Sequence, residues 1–427
     1  MQESAHFGYF AVTKQHINNH GQSHFSGLPL YGQVIKLLDK SKILQFSTER
    51  GGERYTKRFN CWIHLVVMLY AVIMRFDSLR EITTSLMAEA RKLAHLGVNI
   101  KIGRSTLADA NKRRSETIFE AIYRDLYATY RQVLSSDSRS RKTPKWLKRL
   151  QIIDSTTITL FSNLIFKGVG RHPKTGKKKG GIKVHTVIHA NECVPSDIKF
   201  TSAATNDSFM LKPSTLHKGD IMAMDRAYID YGKFEQLTQR GVIYVTKMKK
   251  SLKYVILSDT MYQNPDGLMQ MRIQHVVFTK QLKGGGIIKH HARIITHVDE
   301  RKHKLIALLT NDMESDPDEI IAIYRQRWEI ELLFKQIKQN FPLKYFYGES
   351  ANAIKIQIWV TLIANLLLMV MQKGLRRKWS FSGLATMVRI TLMYYVDFRS
   401  LFNNPEKDWE MILERTSDPP PEPSLFD

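Results

Sequence analysis

Two aspartates stand in sequence contexts where a free carboxylate is unusual. Asp154 interrupts an apolar, β-branched run (LQIIDSTTITL), and Asp225 directly follows a short apolar run (IMAM). An ionised carboxylate in such a setting is costly unless it is paired or bound to a metal. Carboxylates at strand ends also line the crevice of many open α/β sheets. Either residue could instead cap a turn or a helix, so neither decides the chemistry alone.

A third acidic residue lies in the segment YRQRWEIELLFKQIK. Four of its side chains follow one another at steps of 3, 4 and 7 residues, which places them on one helix face: Tyr324, Arg327, Glu331 and Lys338. A surface ladder of salt bridges would show the same spacing. However, three apolar residues follow Glu331, which puts this carboxylate beside a buried stripe. A carboxylate between an arginine and a lysine suits a site that holds metal and phosphates together.

The chain is strongly basic, with 64 lysines and arginines against 40 aspartates and glutamates and a net charge of +24. Such a charge attracts polyanions, of which nucleic acid is the commonest, although a solvated basic surface would look alike. The densest basic segments are a glycine-flanked loop (RHPKTGKKK) and the end of an N-terminal helix. Their candidate DNA contacts are Arg171, Lys174, Lys177, Lys178, Lys179, Lys112, Arg113 and Arg114.

The two cysteines, Cys61 and Cys193, are far apart and fit neither a disulfide scaffold nor a zinc site. The N-terminal residues lack the apolar core of a signal peptide. Residues 354–371 are strongly apolar, but polar residues recur there at every fourth position. This pattern predicts a core or dimer-interface helix rather than a membrane span. We therefore expect a cytoplasmic, nucleoid-associated protein with no membrane partner.

The order of patterns predicts an α/β fold with a mixed sheet. The chain reads as helical to about residue 134 and as a polar linker over 135–145. Strands are predicted at 150–160, 181–190, 194–201, 220–224 and 241–247, with a helix at 229–240. Residues 252–310 are rich in strands, and Asp316 or Asp318 begins a long helix that runs to about Gln339. The proline-rich end of the chain predicts disorder.

The pattern Y-x2-R-x3-E-x6-K resembles the YREK signature of the IS4-like family of DDE transposases. Asp154 within IIDSTTITL resembles the first catalytic aspartate of that family, Asp225 within MAMDRAYIDYGKF the second, and Glu331 the third acidic residue. The long interval before Glu331 leaves room for the β-rich insertion that the family places there. The resemblance extends from about residue 150 to residue 338, and more loosely over the N-terminal part.

This resemblance implies an RNase H-like, mixed-sheet catalytic core that is interrupted by a β-rich insertion and flanked by helical N-terminal and C-terminal regions. The corresponding divisions follow in chain order: 1–140, a helical DNA-binding region; 145–250, the first part of the core; 251–312, the β-rich insertion; 313–350, the final core helix with Glu331; 351–415, a helical region and candidate dimer interface; and 416–427, a disordered tail.

The resemblance also implies cut-and-paste transposition. Asp154, Asp225 and Glu331 would be the catalytic residues and would bind two Mg²⁺ ions, for which Mn²⁺ can substitute. Arg327, Lys338 and Tyr324 would contact phosphates, although Tyr324 could instead pack in the core. The partners would be double-stranded DNA, namely the terminal inverted repeats and the target, and a second copy of the chain in a synaptic dimer.

Some relatives use a tryptophan in the inserted β region to hold a flipped base during hairpin formation. The only tryptophan between Asp225 and Glu331 is Trp328, inside the helix itself, which leaves the hairpin route open. Two other functions compete with transposition. One is a different nuclease of the same fold, and the other is a DNA-binding protein without activity. The Arg327–Lys338 pair argues against the first, and the presence of all three carboxylates argues against the second.

Overall fold

A computed structural model of the chain describes residues 27–54, 56–135, 144–159, 181–203, 205–263, 270–281, 285–299 and 303–416. The basic loop 171–179 lies outside the described residues. So do most of the predicted linker and nearly all of the predicted C-terminal tail.

The N-terminal part is helical, as predicted. Its helices are α1 (Leu30–Ile35), α2 (Lys40–Glu49), α3 (Cys61–Met74), α4 (Leu79–Ala88), α5 (Ala90–His95), α6 (Arg104–Arg113) and α7 (Glu116–Leu134). Side-chain oxygens of Asn60 and Ser78 accept backbone N–H bonds at the starts of α3 and α4, as expected of N-cap residues. The prediction of one helix over 78–96 is wrong, because Glu89 leaves helical geometry (φ −100°, ψ 15°) and separates α4 from α5.

The centre of the molecule is one nine-stranded sheet. Its strands are β1 (Leu150–Thr159), β2 (Gly181–His189), β3 (Pro195–Ser202), β4 (Ile221–Met224), β5 (Ile243–Lys247), β6 (Val255–Gln263), β7 (Gln270–Gln281), β8 (Ile287–Asp299) and β9 (Lys304–Thr310). The spatial order is β3-β2-β1-β4-β5-β9-β8-β7-β6. β1, β4 and β5 are mutually parallel, and the other pairs are antiparallel. The sheet is therefore mixed, as predicted.

The β-rich segment that was predicted after residue 251 consists of β6, β7, β8 and β9. It continues the same sheet, because β9 pairs with β5. Earlier in the chain, β2 and β3 form the hairpin predicted at Asn191-Glu192. β4 is buried at all four positions, which explains why its sequence is a continuous apolar run rather than an alternating one.

Helices close the sheet and complete the C-terminal part. They are α8 (Tyr231–Gln239), α9 (Pro317–Gln326), α10 (Trp328–Asn340), α11 (Ala351–Lys373), α12 (Phe381–Thr391), α13 (Phe398–Asn403) and α14 (Lys407–Thr416). The prediction of one uninterrupted helix over 316–339 is wrong at a single residue. Arg327 separates α9 from α10, because its N–H bonds to Tyr324 O, three residues back, rather than four.

α11 is the apolar helix that the sequence assigned to a core or a dimer interface. It is long and apolar enough to cross a membrane, yet 94% of its apolar stretch is buried inside the protein, where it packs against α3 and α7. Of its regularly spaced polar residues, Gln357 and Asn365 have hydrogen-bond partners inside the chain, whereas the buried Thr361 hydroxyl has none among the described residues. Gln357 bonds the segment after α10, and Asn365 accepts a bond from Gln336. In this chain α11 is a core helix.

Candidate active site

Asp154 and Asp225 lie at the same level of two neighbouring strands. Asp154 is in β1, and Asp225 directly follows β4. The two strands are parallel, with Ile153 opposite Met224, so the aspartates extend that register by one residue. Since adjacent strands are about 4.8 Å apart, the backbone alone makes the two residues neighbours.

Glu331 approaches from α10, which packs against β1. It lies in the first turn of that helix, where a negative charge is favoured by the helix dipole. Its Oε1 accepts a 2.6 Å bond from Arg327 Nη2, while Arg327 Nη1 lies 3.7 Å from Asp154 Oδ2. One guanidinium therefore bridges two of the three predicted catalytic carboxylates, and its side chain is only 15% exposed.

The electrostatics of Asp154 reflect this crowding. Burial raises the pKa of its carboxyl to about 6. The Ser155 backbone N–H, which donates to Oδ1 at 2.7 Å, and Arg327 lower that pKa, while the nearby charges of Asp225 and Glu331 raise it further. Mutual repulsion among carboxylates is typical of sites that are completed by a cation.

The donor set suits a hard divalent cation in chemistry, because it consists of carboxylate oxygens. The distances between the carboxylates do not yet match a metal site. Within the described part of the chain, no three His, Cys, Asp or Glu side chains are close enough to hold a metal ion together. Glu331 is turned to Arg327, whose guanidinium contacts both Glu331 and Asp154.

The other two residues of the predicted helix face have partners of their own. Tyr324, at the end of α9, is partly buried against the main core, and the Arg327 guanidinium carbon lies 5.8 Å from its ring centre. The packing alternative for Tyr324 therefore has direct support. Lys338 Nζ donates to Thr156 Oγ1 at 2.6 Å and lies 3.4 Å from Thr157 O, which ties α10 to β1 just past Asp154.

The predicted DNA contacts on the N-terminal helix divide into two groups. Lys112 and Arg113 are exposed at the end of α6, and Arg113 pairs with Asp109 at 3.2 Å. Arg114, the third candidate DNA contact on this helix, differs from its two neighbours because its side chain is buried. It is 6% exposed and donates to the carbonyl oxygens of Gly52 and Phe59, because it ends the helix and turns into the core. Arg114 is therefore a structural residue in this conformation.

Asp207 was not predicted from the sequence, and it lies beside Ser155, the chain neighbour of Asp154. Its Oδ1 accepts a 2.5 Å bond from Ser155 Oγ and lies 3.2 Å from Lys183 Nζ. The backbone N–H of the same Ser155 donates to Asp154, so Asp207 helps to fix the part of β1 that carries the predicted catalytic aspartate. The polar turn after β3 (TND) was its only sequence signal, and that signal does not distinguish it from an ordinary turn.

Two aspartates at neighbouring strand ends of a mixed α/β sheet, with Glu331 and basic residues beside them, are typical of an enzyme that acts on nucleic acid. Comparison with known proteins agrees. Residues 145–367 match the family model described as the transposase DDE domain. Residues 26–99 match a domain of unknown function (DUF4372), which covers the first helices.

Several curated relatives are transposases by name. The chain is 28% identical over 268 residues to transposase y4zB of Sinorhizobium fredii, covering 63% of this chain and 71% of the relative. It is 24% identical over 294 residues to a transposase for insertion sequence element IS4SA of Synechocystis, covering 67% and 76%. It is 22% identical over 274 residues to a transposase for IS5377 of Geobacillus stearothermophilus, covering 64% and 67%.

The matched domain spans just over half of the chain, and the chain belongs to the DDE transposase family. It is a DNA transposase of an insertion sequence, an enzyme that cleaves and joins DNA strands. The family resemblance stated from the sequence is confirmed, and the divalent-metal dependence general to this family applies.

Proposed function

We propose that the protein carries out cut-and-paste transposition, with Asp154, Asp225 and Glu331 as its catalytic carboxylates. The observation that carries this proposal is the approach of three elements, β1, β4 and α10, to one edge of the sheet. There Arg327 contacts both Asp154 and Glu331, and the charges of Asp225 and Glu331 act on Asp154. Alternative roles as turn or helix caps would not require these carboxylates to influence one another.

The three carboxylates would hold two Mg²⁺ ions, for which Mn²⁺ can substitute. When bound, such ions lower the pKa of an attacking water and stabilise the charge of the leaving oxygen. Asp154 would be the shared ligand, because the charges of both Asp225 and Glu331 act on it. Its partly buried setting, with a 21% exposed side chain, limits competition from bulk water.

Arg327 has two roles in this proposal. In the free protein it neutralises Glu331 and Asp154. On DNA it turns to a phosphate beside the cut and releases Glu331, since a guanidinium binds phosphate as well as carboxylate in a bidentate manner. Its Nε already lacks a hydrogen-bond partner within the described part of the protein. The exchange would couple DNA binding to assembly of the metal site.

The remaining DNA contacts are assigned by position. Lys338 would reach a phosphate from the face that Glu331 shares, and Tyr324 would hold Arg327 in place by packing. Lys112 and Arg113 would contact the DNA backbone away from the cut. The loop 171–179, with Arg171, Lys174, Lys177, Lys178 and Lys179, keeps its proposed role from its sequence alone.

We also propose an RNase H-like core for this enzyme. The antiparallel strands β1, β2 and β3, beside the parallel strands β4 and β5, support it. The division into a DNA-binding region, a core with its insertion and a C-terminal region is part of the same proposal. The enzyme would act as a synaptic homodimer on terminal inverted repeats and target DNA. It would be a cytoplasmic protein associated with the nucleoid.

A gel assay tests the function directly. The protein is incubated with Mg²⁺ and DNA that carries the inverted repeats found beside its gene, and with the same DNA in which those ends are scrambled. We expect paired-end complexes and strand-transfer products with the true ends only. Degradation of both DNAs would instead indicate a general nuclease. Binding without cleavage would indicate a DNA-binding protein that has lost activity.

A further inference from the structure

A cleft of about 930 Å³ opens beside Asp154 and Glu331, between the end of α3, the face of α10 and the segment that follows α10. Its volume is near the upper end of the range of about 300–1,000 Å³ that is typical of ligand sites. Away from the carboxylates its lining is basic and aromatic, and includes Arg75, Lys335, Lys344 and Tyr345.

Four cations line this Arg75 cleft, and three of them are not neutralised by the described part of the protein; the fourth, Lys338, bonds Thr156 and Thr157. Among the residues that the structure describes, Arg75, Lys335 and Lys344 have no carboxylate within ion-pair distance. All three are exposed. Cations that face one concave space without partners raise its potential and favour an anionic occupant. The one acidic residue on that side of the cleft is Asp77.

The backbone of Arg75 gives a second, independent sign. Its φ is 62° and its ψ is 40°, a left-handed conformation at the end of α3 that glycine adopts without cost and arginine does not. Arg75 also lies near Arg389, whose pKa is lowered by burial and, secondarily, by Arg75. Strain and like-charge proximity at one residue are typical of functional positions.

The wall opposite Arg75 is held rigidly. Gln357 of α11 donates to Pro342 O at 2.9 Å and to Tyr345 O at 2.7 Å, and it accepts the Tyr347 N–H at 2.8 Å. These bonds fix the segment that carries Lys344 and Tyr345. The Tyr345 side chain remains 43% exposed, so an aromatic surface and a lysine face the cleft together.

We propose that the Arg75 cleft binds an unpaired stretch of the DNA strand next to the cut. Arg75, Lys335 and Lys344 would hold its phosphates, and a base would stack on Tyr345. Cations interleaved with an aromatic ring are the usual means of holding single strands. The inference rests on the proposed function, because it takes Asp154 and Glu331 as the place of the cut.

The test measures binding rather than cleavage, with Ca²⁺ in place of Mg²⁺. Fluorescence anisotropy compares labelled duplexes that are blunt with duplexes that carry a short single-stranded extension. We expect Arg75→Gly, which removes the charge and relieves the strained backbone, to weaken binding of the extended probe. The double variant Arg75→Gly/Lys344→Ala should weaken it more, and its salt slope should fall by about 0.7 for each lost phosphate contact. Blunt duplex binding should not change.

Variants of Tyr345 test the stacking contact separately in the same binding assay. Tyr345→Ala should weaken binding of the extended probe by between about 5-fold and 100-fold, the loss typical of one stacked base, while Tyr345→Phe should keep it. Lys407→Ala, which removes an exposed charge on α14, is the matched control and should behave like the wild type. Thermal unfolding of each variant shows that the fold is intact.

The sequence of the probe distinguishes the two sources of such a strand. An effect confined to probes with the element's terminal sequence identifies the strand as the element's own end. An equal effect on unrelated sequence identifies it as target DNA. The proposal would be overturned if the variants lost affinity equally for blunt and extended probes. It would also be overturned if the double variant bound the extended probe like the wild type. Because no cleavage is measured, these outcomes do not depend on whether the carboxylates are catalytic.

Discussion

The nine-stranded sheet has two halves, β1 to β5 and β6 to β9, and they differ in how far their strands are buried. β4, in the half that carries the carboxylates, is buried at all four positions, whereas β6, at the far edge, is exposed at nearly every position, including Val255 and Leu257. The first half is covered by helices and fixes side chains in place. The second ends in β6, whose outer backbone groups pair with no other strand among the described residues. The candidate site therefore lies in the half whose strands are buried.

The largest expected effect comes from the carboxylates. Asp154→Ala, Asp225→Ala and Glu331→Ala should each reduce DNA cleavage by at least about 10³-fold, since removing a metal ligand costs several kcal/mol of transition-state stabilisation. End binding in Ca²⁺ should persist, because the proposal assigns these residues to metal rather than to DNA. Cleavage with Mg²⁺ and gel shifts with Ca²⁺ measure the two effects separately. Any variant that cleaves like the wild type removes its residue from the site.

The contrast between the halves also predicts stability. Ile152→Ala in β1, where the side chain is fully buried, should cost about 2–5 kcal/mol. Leu257→Ala in β6, where the side chain is 59% exposed, should change stability by no more than about 0.5 kcal/mol. Thermal unfolding of both variants makes the comparison. Similar losses would mean that the β6 edge is covered by something in solution.

Arg327 and Lys338 should affect strand transfer more than end recognition. Replacing either with alanine should slow transfer by about 10- to 100-fold, the value of one charge-assisted hydrogen bond at about 1.5–3 kcal/mol. Arg327→Ala should also bind Mn²⁺ more tightly without DNA, because Glu331 is freed; calorimetry measures this. Lys338→Arg should restore part of the activity. If both alanine variants transferred strands at the normal rate, Arg327 and Lys338 would have a structural role only and would not bind phosphates.

The raised pKa of Asp154 predicts a smaller effect of pH. Between its ordinary value near 3.8 and its folded value of about 6, the folded state binds more protons than the unfolded state. The unfolding free energy of the metal-free protein should therefore fall as pH rises through this window, and Asp154→Asn should remove that dependence. Mn²⁺ affinity should rise over the same window as the carboxylate deprotonates. A wild type and an Asp154→Asn variant with the same pH profile would contradict the assignment of the shift.

The sequence predicted the half of the sheet that carries the chemistry more closely than the rest. The strands at β1 to β5 and the helix α8 lie within about two residues of their predicted positions, because their apolar runs and turns are local signals. The exposure of β6 was not predictable in this way. Its first residues are as apolar as those of β4, and only the position of a strand in the sheet decides what covers it.

The same limit applies to the site. The four residues on one helix face, and the two aspartates at strand ends, follow from periodicity and from family resemblance. The bridge from Arg327 to Asp154 does not, since it joins elements that are far apart in sequence. Arg114 looked like its neighbours on α6 and is buried instead. Arg75 reaches the cleft from the end of α3 and Lys344 from the non-helical segment after α10, and no sequence pattern links them.

Metal specificity is the most direct test of the central claim that Asp154, Asp225 and Glu331 are metal ligands. In Asp225→Cys, a thiolate replaces a hard oxygen ligand, so Mg²⁺ should fail while the softer Mn²⁺ binds. We predict no cleavage by this variant in Mg²⁺, measurable cleavage in Mn²⁺, and none by Asp225→Ala in either metal. Cleavage by Asp225→Cys in Mg²⁺ at the wild-type rate would contradict the account. So would equal rates of the cysteine and alanine variants in Mn²⁺.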